Sequence, residues 1–81
     1  MTLRVLYFAS LRDTTRVAEE SVAMPPGSTV ADLWGSLASR HAALAAFPVR
    51  PLVACDRAYA SWETSLDGVS EVAFLPPVSG G

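Results

Sequence analysis

One stretch of the chain carries a helical repeat strong enough to organise the rest. It runs from Thr29 to Phe47 as "TVADLWGSLASRHAALAAF", and Val30, Leu33, Trp34 and Leu37 fall at i, i+3, i+4 and i+7, on a single face. Thr29 is placed to cap it, and Asp32 three residues later makes a shortened capping box. Gly35 costs up to about 1 kcal/mol relative to alanine but does not interrupt the pattern. Leu44 and Phe47 continue the apolar side into a further turn, and Pro48 with Pro51 ends it. A helix that is apolar on one side must bury that side. In a chain of 81 residues, with no second periodic segment of this length, the cover has to be a sheet.

The flanking segments supply the strands. "LRVLYFA" has apolar residues at both parities from Val5 to Phe8, which predicts a strand in the middle of a sheet, covered on both faces. "SLRDTTR" predicts a short polar helical turn with Ser10 as its cap. "VAEESVAM" predicts a second, more exposed strand in which Glu19 and Glu20 form a solvated face, and "PPG" stops it. "LVACD", "RAYAS" and "EVAFL" are three further short strands, separated by Asp56-Arg57 and by "SLDGVS", whose Asp67-Gly68 is a tight-turn signal. Two strands, a long helix and more strands, the last one apolar, predict an α+β fold of the β-grasp type: a mixed sheet wrapped around one main helix. The first strand is then central and its natural neighbour is the equally apolar "EVAFL". Residues 1–75 are the predicted domain, and residues 76–81 a tail leaving the rim of the sheet.

Composition removes several classes of function. Half of the residues are hydrophobic (51%) and 17% are charged, which fits a compact fold with an apolar patch to spare rather than a disordered tail. A net charge of −2 with six dispersed arginines gives no footprint for nucleic acid. The apolar runs are too short to span a bilayer and the N-terminal stretch lacks the pattern of a secretory signal, so a cytoplasmic protein without a membrane partner is expected. The single Cys55 forms neither an internal disulfide nor a metal cluster and reads as a buried thiol; His41 reads as a helix-end residue. Trp34 belongs to the core face of the helix and Trp62, in polar "ASWETS", is expected half-exposed. No nucleophile–base pair and no metal set is visible, which argues against an independent enzyme. All six basic residues are arginine, so no side chain carries a primary amine.

The ending "FLPPVSGG" is the feature with chemical content. Pro76 and Pro77 donate no backbone hydrogen bond, so they end the strand and hold the residues after them semi-extended. From Pro76 to Gly81 the chain can reach roughly 20 Å at about 3.3 Å per residue. Gly80 and Gly81 have no side chains to obstruct a narrow channel. Together with "RVLYFASLRD", the "TVADLW" helix start, the "DG" turn and "EVAFLPPVSGG", this ending resembles the small-subunit family of molybdopterin synthase, the ubiquitin-like sulfur carriers of molybdenum cofactor biosynthesis, over the full length. Two positions depart from the family pattern: Asp56 stands where asparagine is usual, and Leu75 where an aromatic is common.

The resemblance implies a mechanism. An E1-like adenylyltransferase uses ATP to adenylate the Gly81 carboxylate, a sulfur donor converts it to a thiocarboxylate, and the loaded tail enters the large synthase subunit. Sulfur passes there to cyclic pyranopterin monophosphate, building the molybdopterin dithiolene. Gly81, supported by Gly80, is thus the reacting end of a protein that binds no cofactor or metal of its own. The large subunit is the expected partner, in a heterotetramer, and partner contacts are expected from Phe8, Arg12 and Leu75 and from the tail residues Pro76, Pro77, Val78 and Ser79. Strand alternation puts Phe74 and Leu75 on opposite faces, and Leu75 is the one assigned to the partner. A carrier for thiamine or a tungsten cofactor, and a ubiquitin-like modifier or binding module, are the alternatives that share the Gly-Gly end.

Overall fold

The computed structural model describes residues 1–47 and 50–77. Its elements in chain order are β1 (Thr2–Tyr7), α1 (Ser10–Thr15), β2 (Glu19–Ala23), α2 (Val30–Arg40), α3 (Ala42–Ala45), β3 (Leu52–Cys55), β4 (Ala58–Ala60) and β5 (Glu71–Leu75). The strands form one mixed sheet in the order β2-β1-β5-β3-β4. β1 and β5 run parallel in the centre, with Val5 opposite Val72 and Tyr7 opposite Phe74, and the other pairs are antiparallel. This is the ubiquitin-like β-grasp, and β1 and β5 are the neighbours that their shared apolar character predicted.

One face of the sheet is closed by α2. Leu3, Val5, Tyr7, Val22, Val53, Val72 and Phe74 point into a core completed by Val30, Leu33 and Leu37 of α2, by Leu11 of α1 and by Leu44 of α3. The start of α2 follows the sequence closely. The Thr29 hydroxyl accepts from the Asp32 N–H at 3.2 Å, and the Asp32 carboxylate accepts from the Thr29 N–H at 2.9 Å, a complete capping box. The loop before α2 is tied down from a distance: the Asp67 carboxylate accepts from the Gly27 N–H at 2.9 Å. Gly27 and Gly68 both sit at positive φ, where glycine is unstrained.

Four sequence expectations change. First, β1 is covered on one face only, and it ends at Tyr7; Leu3, Val5 and Tyr7 are buried while Thr2 and Arg4 are exposed and Leu6 lies between. The apolar residues of the second parity signal an open face, not a second covered one. Second, Ser10 does not cap α1. Ala9 holds the cap position at φ 50°, ψ −125°, and no side chain caps the helix, whose first turn is closed by the Asp13 N–H donating to the Ala9 carbonyl. Third, the apolar repeat of α2 does not run through to Phe47 in one helix. The backbone turns extended at His41, and α3 restarts the repeat so that Leu44 reaches the core. Fourth, Glu20 is not part of a solvated face. It lies opposite Val5 on the core side of β2, at the rim, where polar partners meet it.

Candidate functional site

The uncovered face of the sheet carries the candidate site. It forms a shallow concavity of about 490 Å³, whose apolar centre is Leu6, Phe8, Ala54, Ala73 and Leu75 with Tyr59 beside it. Alternation along β1 and β5 places these side chains opposite the core: Leu6 pairs with Ala73 as Tyr7 pairs with Phe74, and the two pairs face opposite ways. Arg4, Arg57 and Glu71 rim the same concavity. Phe8 is 45% exposed and Tyr59 76%, large apolar rings that a small isolated domain gains nothing by offering to water.

Local backbone geometry fixes the presentation of Phe8. Its N–H donates to the Phe74 carbonyl at 3.2 Å, so it is the last residue tied to β5. Ala9 comes next at positive φ, a conformation alanine rarely adopts, and turns the chain into α1. Phe8 and Leu75 therefore sit together where β5 ends, with half-buried Pro76 and Pro77 directly after. Arg12 is exposed on α1 and is not among the residues lining the concavity. Phe74 is core, fully buried against Trp34 and Trp62. Val78, Ser79, Gly80 and Gly81 lie outside the described residues.

Of the nine residues that line the concavity, a reading of the sequence names only Phe8 and Leu75; Arg4, Leu6, Ala54, Arg57, Tyr59, Glu71 and Ala73 escape it. The signal for Leu6 is present as the second apolar parity of β1. Tyr59 and Arg57 depend on the pairing of β3 with β4, which sets the edge hairpin beside the concavity.

Two clusters on the closed side support this arrangement. At the rim between β2 and α2, the Glu20 carboxylate accepts from the Tyr7 hydroxyl at 2.6 Å, from Arg40 Nη1 at 2.8 Å and from His41 Nε2 at 2.7 Å. Burial alone raises the Glu20 carboxyl, but these three hydrogen bonds outweigh it and hold the group below its ordinary value. Burial and the same bond to Glu20 push the Tyr7 phenol far up, so it remains a donor. Near the tail end, Trp62 packs edge-on to Trp34 at 5.6 Å, its Nε1–H donates to the Pro51 carbonyl at 3.2 Å, and the Arg50 guanidinium stacks 4.2 Å above its ring. Cys55 is buried, and burial together with the nearby Asp56 charge pushes its thiol up, away from the reactive thiolate. Among the described residues no three His, Cys, Asp or Glu side chains gather to hold a metal ion, and no helix is long and apolar enough to cross a membrane.

An open apolar face beside the point where Pro76 and Pro77 leave the sheet is the candidate site, and comparison with known proteins gives the chain a family. Residues 5–81 match the ThiS family. The chain belongs to it. A relative named molybdopterin synthase sulfur carrier subunit, from Chlamydomonas reinhardtii, is 33% identical with all of both chains aligned. Among solved structures, a putative molybdopterin converting factor subunit 1 from Pyrococcus furiosus superimposes with a TM-score of 0.83 at 26% identity, covering 96% of this chain and 99% of that one. SAMP1 from Haloferax volcanii gives a TM-score of 0.85 at 24% identity over the whole of both chains. A complex of subunits 1 and 2 of molybdopterin-converting factor from Helicobacter pylori contains a chain with the same fold, with a TM-score of 0.65 at 19% identity and full coverage of both chains.

Proposed function

We propose that this member of the ThiS family is the sulfur carrier subunit of a molybdopterin synthase, working in the cytoplasm. Its Gly81 carboxylate attacks the α-phosphorus of ATP on an E1-like enzyme and releases pyrophosphate. A sulfide-level donor then attacks the acyl carbon and expels AMP, leaving a thiocarboxylate that is ionised and nucleophilic at neutral pH. The loaded end enters the large synthase subunit and gives its sulfur to cyclic pyranopterin monophosphate. Two such deliveries complete the dithiolene of molybdopterin, and two carriers with two large subunits make the heterotetramer.

The observation that carries this reading is the pairing of Phe8 with Leu75 on the uncovered face at the point where Pro76 and Pro77 leave the sheet. A carrier needs a docking surface close to its reacting end, so that binding energy gained on the face positions the tail in the partner's channel. The prolines add to this by reducing the freedom lost on insertion. The general acids and anion-binding groups belong to the partner in this scheme. Phe8 and Leu75 dock, Arg12 adds a charged contact from α1, and Val78, Ser79 and Gly80 thread the channel.

The test is to incubate the protein with ATP, an E1-like activator competent on a known carrier and a sulfur donor, alkylate the products, and identify the C-terminal peptide by mass spectrometry. ATP-dependent alkylation at Gly81 supports the carrier reading, and its absence defeats it. Digestion is needed because Cys55, buried in the fold, also alkylates once the chain is unfolded. A second reading, a protein modifier, comes from the shared fold of SAMP1, which is named a small archaeal modifier protein. It requires isopeptide-linked conjugates of Gly81 with lysines of other proteins.

A further inference from the structure

β3 and β4 are joined by a two-residue turn, Asp56 and Arg57, both at positive φ (48° and 71°). Such turns match the twist of a hairpin but ask for glycine or asparagine, especially at the second position. Asp56 has a local reason to be there. Its carboxylate accepts from the N–H groups of Ser70 at 3.1 Å and Glu71 at 3.0 Å, and so fixes the start of β5. Arg57 has none. Among the described residues it enters no ion pair and no side-chain hydrogen bond, whereas Arg4, the other cation of the concavity, pairs with Glu19 and lies near Glu71. A strained backbone position has thus been given to an exposed cation on the rim of the docking face, where glycine is the stable choice.

We propose that Arg57 is a specificity residue of the docking face: it pairs with a carboxylate that flanks the apolar ridge which the large synthase subunit lays across Phe8, Tyr59 and Leu75. This rests on the docking role proposed above. The chain as a whole carries a net charge of −2, so a partner carboxylate gains nothing from long-range attraction to it and is recognised locally, at Arg57. The two-residue turn holds the base of Arg57 fixed against the sheet, so little backbone freedom is lost when it pairs. The strain at Arg57 is then a stability cost retained for recognition.

The experiment measures binding of the full chain to the large subunit at 50 and 500 mM NaCl, together with Tm, for the wild type and for Arg57→Gly, Arg57→Gln and Arg57→Lys. Arg57→Gly relieves the strained φ, so Tm stays level or rises by a few degrees. Its affinity at 50 mM NaCl falls about three- to five-fold, and the salt dependence of association flattens. Arg57→Gln loses affinity similarly, and Arg57→Lys restores most of it because the charge returns at the same place. A role confined to the fold moves Tm and affinity together, so this opposite movement is the signature. Wild-type affinity in Arg57→Gly at low salt overturns the inference while leaving the docking role intact. Failure of the wild type itself to bind overturns both.

Discussion

The two faces of the sheet are built from alternate residues of the same strands, yet they differ in kind. On the closed face Leu3, Val5, Tyr7, Val72 and Phe74 are essentially removed from water and interlock with Leu33 and Leu37 of α2. On the open face Leu6, Phe8 and Leu75 form an apolar strip around the nearly buried Ala73, with Arg57 and Tyr59 of the β3–β4 hairpin to one side. The first strip secures the fold. The second is only partly buried, and in the docking role proposed above its apolar character answers to a partner. One face can therefore be altered for stability and the other for binding, and the separation between them is open to measurement.

The largest expected effect comes from cutting into the closed face. Phe74→Ala removes a fully buried ring that touches both Trp34 and Trp62. It should cost about 3–5 kcal/mol of stability in urea unfolding, most of what a domain of this size possesses. Loss under about 1 kcal/mol would mean that the aromatic cluster is not an integral part of the core. Its neighbour on the opposite face behaves otherwise. Leu75→Ala, and Phe8→Ala with it, should each shift stability by no more than about 1 kcal/mol and weaken binding to the large subunit by about 1–3 kcal/mol, read by calorimetry. If Leu75→Ala destabilised the chain as much as Phe74→Ala does, the open strip would be core after all.

The sequence makes one face legible and obscures the other for a physical reason. Alternation and the α2 repeat identify Leu33, Leu37 and Phe74 as core because a helix and a strand each bury one predictable side. The apolar residues of the second parity in β1 carry the same signal whether a helix or a transient partner covers them. A doubly covered strand is therefore the wrong inference about the cover and not about the strand. Glu20 is obscured for a related reason. Its neighbour Glu19 is exposed, but Glu20 shares the parity of Val22 and meets Tyr7 and His41, residues distant in sequence, only once β2 pairs with β1. The prolines and Leu75 are legible because strand termination is local. Tyr59 is not, since its place depends on a pairing between two three- to four-residue strands.

The Glu20 hub allows a pH test of the closed side. Its carboxyl titrates below the ordinary 4.5 in the folded protein, so the unfolded chain binds the proton more readily. The hub's contribution is therefore fully present above about pH 4.5 and is lost as pH falls through the lower folded value. Glu20→Gln should cost about 1–2 kcal/mol at pH 7, and the stability curves of variant and wild type should converge on acidification. Parallel curves from pH 7 to pH 3 would show that the charge of Glu20 contributes nothing. Tyr7→Phe tests the same hub from the strand side, and should leave binding on the open face unchanged because Phe8 is held by its own bond to Phe74.

The smallest expected effect gives the sharpest separation of the two faces. Thr29→Ala removes the hydroxyl that accepts from the Asp32 N–H and leaves the reciprocal bond from Asp32 to the Thr29 backbone in place. About 1 kcal/mol of stability should be lost, the ordinary value of an N-terminal cap. α2 lies wholly on the closed side of the sheet, so affinity for the large subunit should not move, whereas Phe8→Ala should lower affinity at nearly constant Tm. The double variant Thr29→Ala/Phe8→Ala then tests independence. Its losses in stability and in binding should each equal the single-variant values to within about 0.5 kcal/mol. A larger departure would mean that cap and docking face communicate through the sheet, and that partner binding tightens the same core which α2 closes.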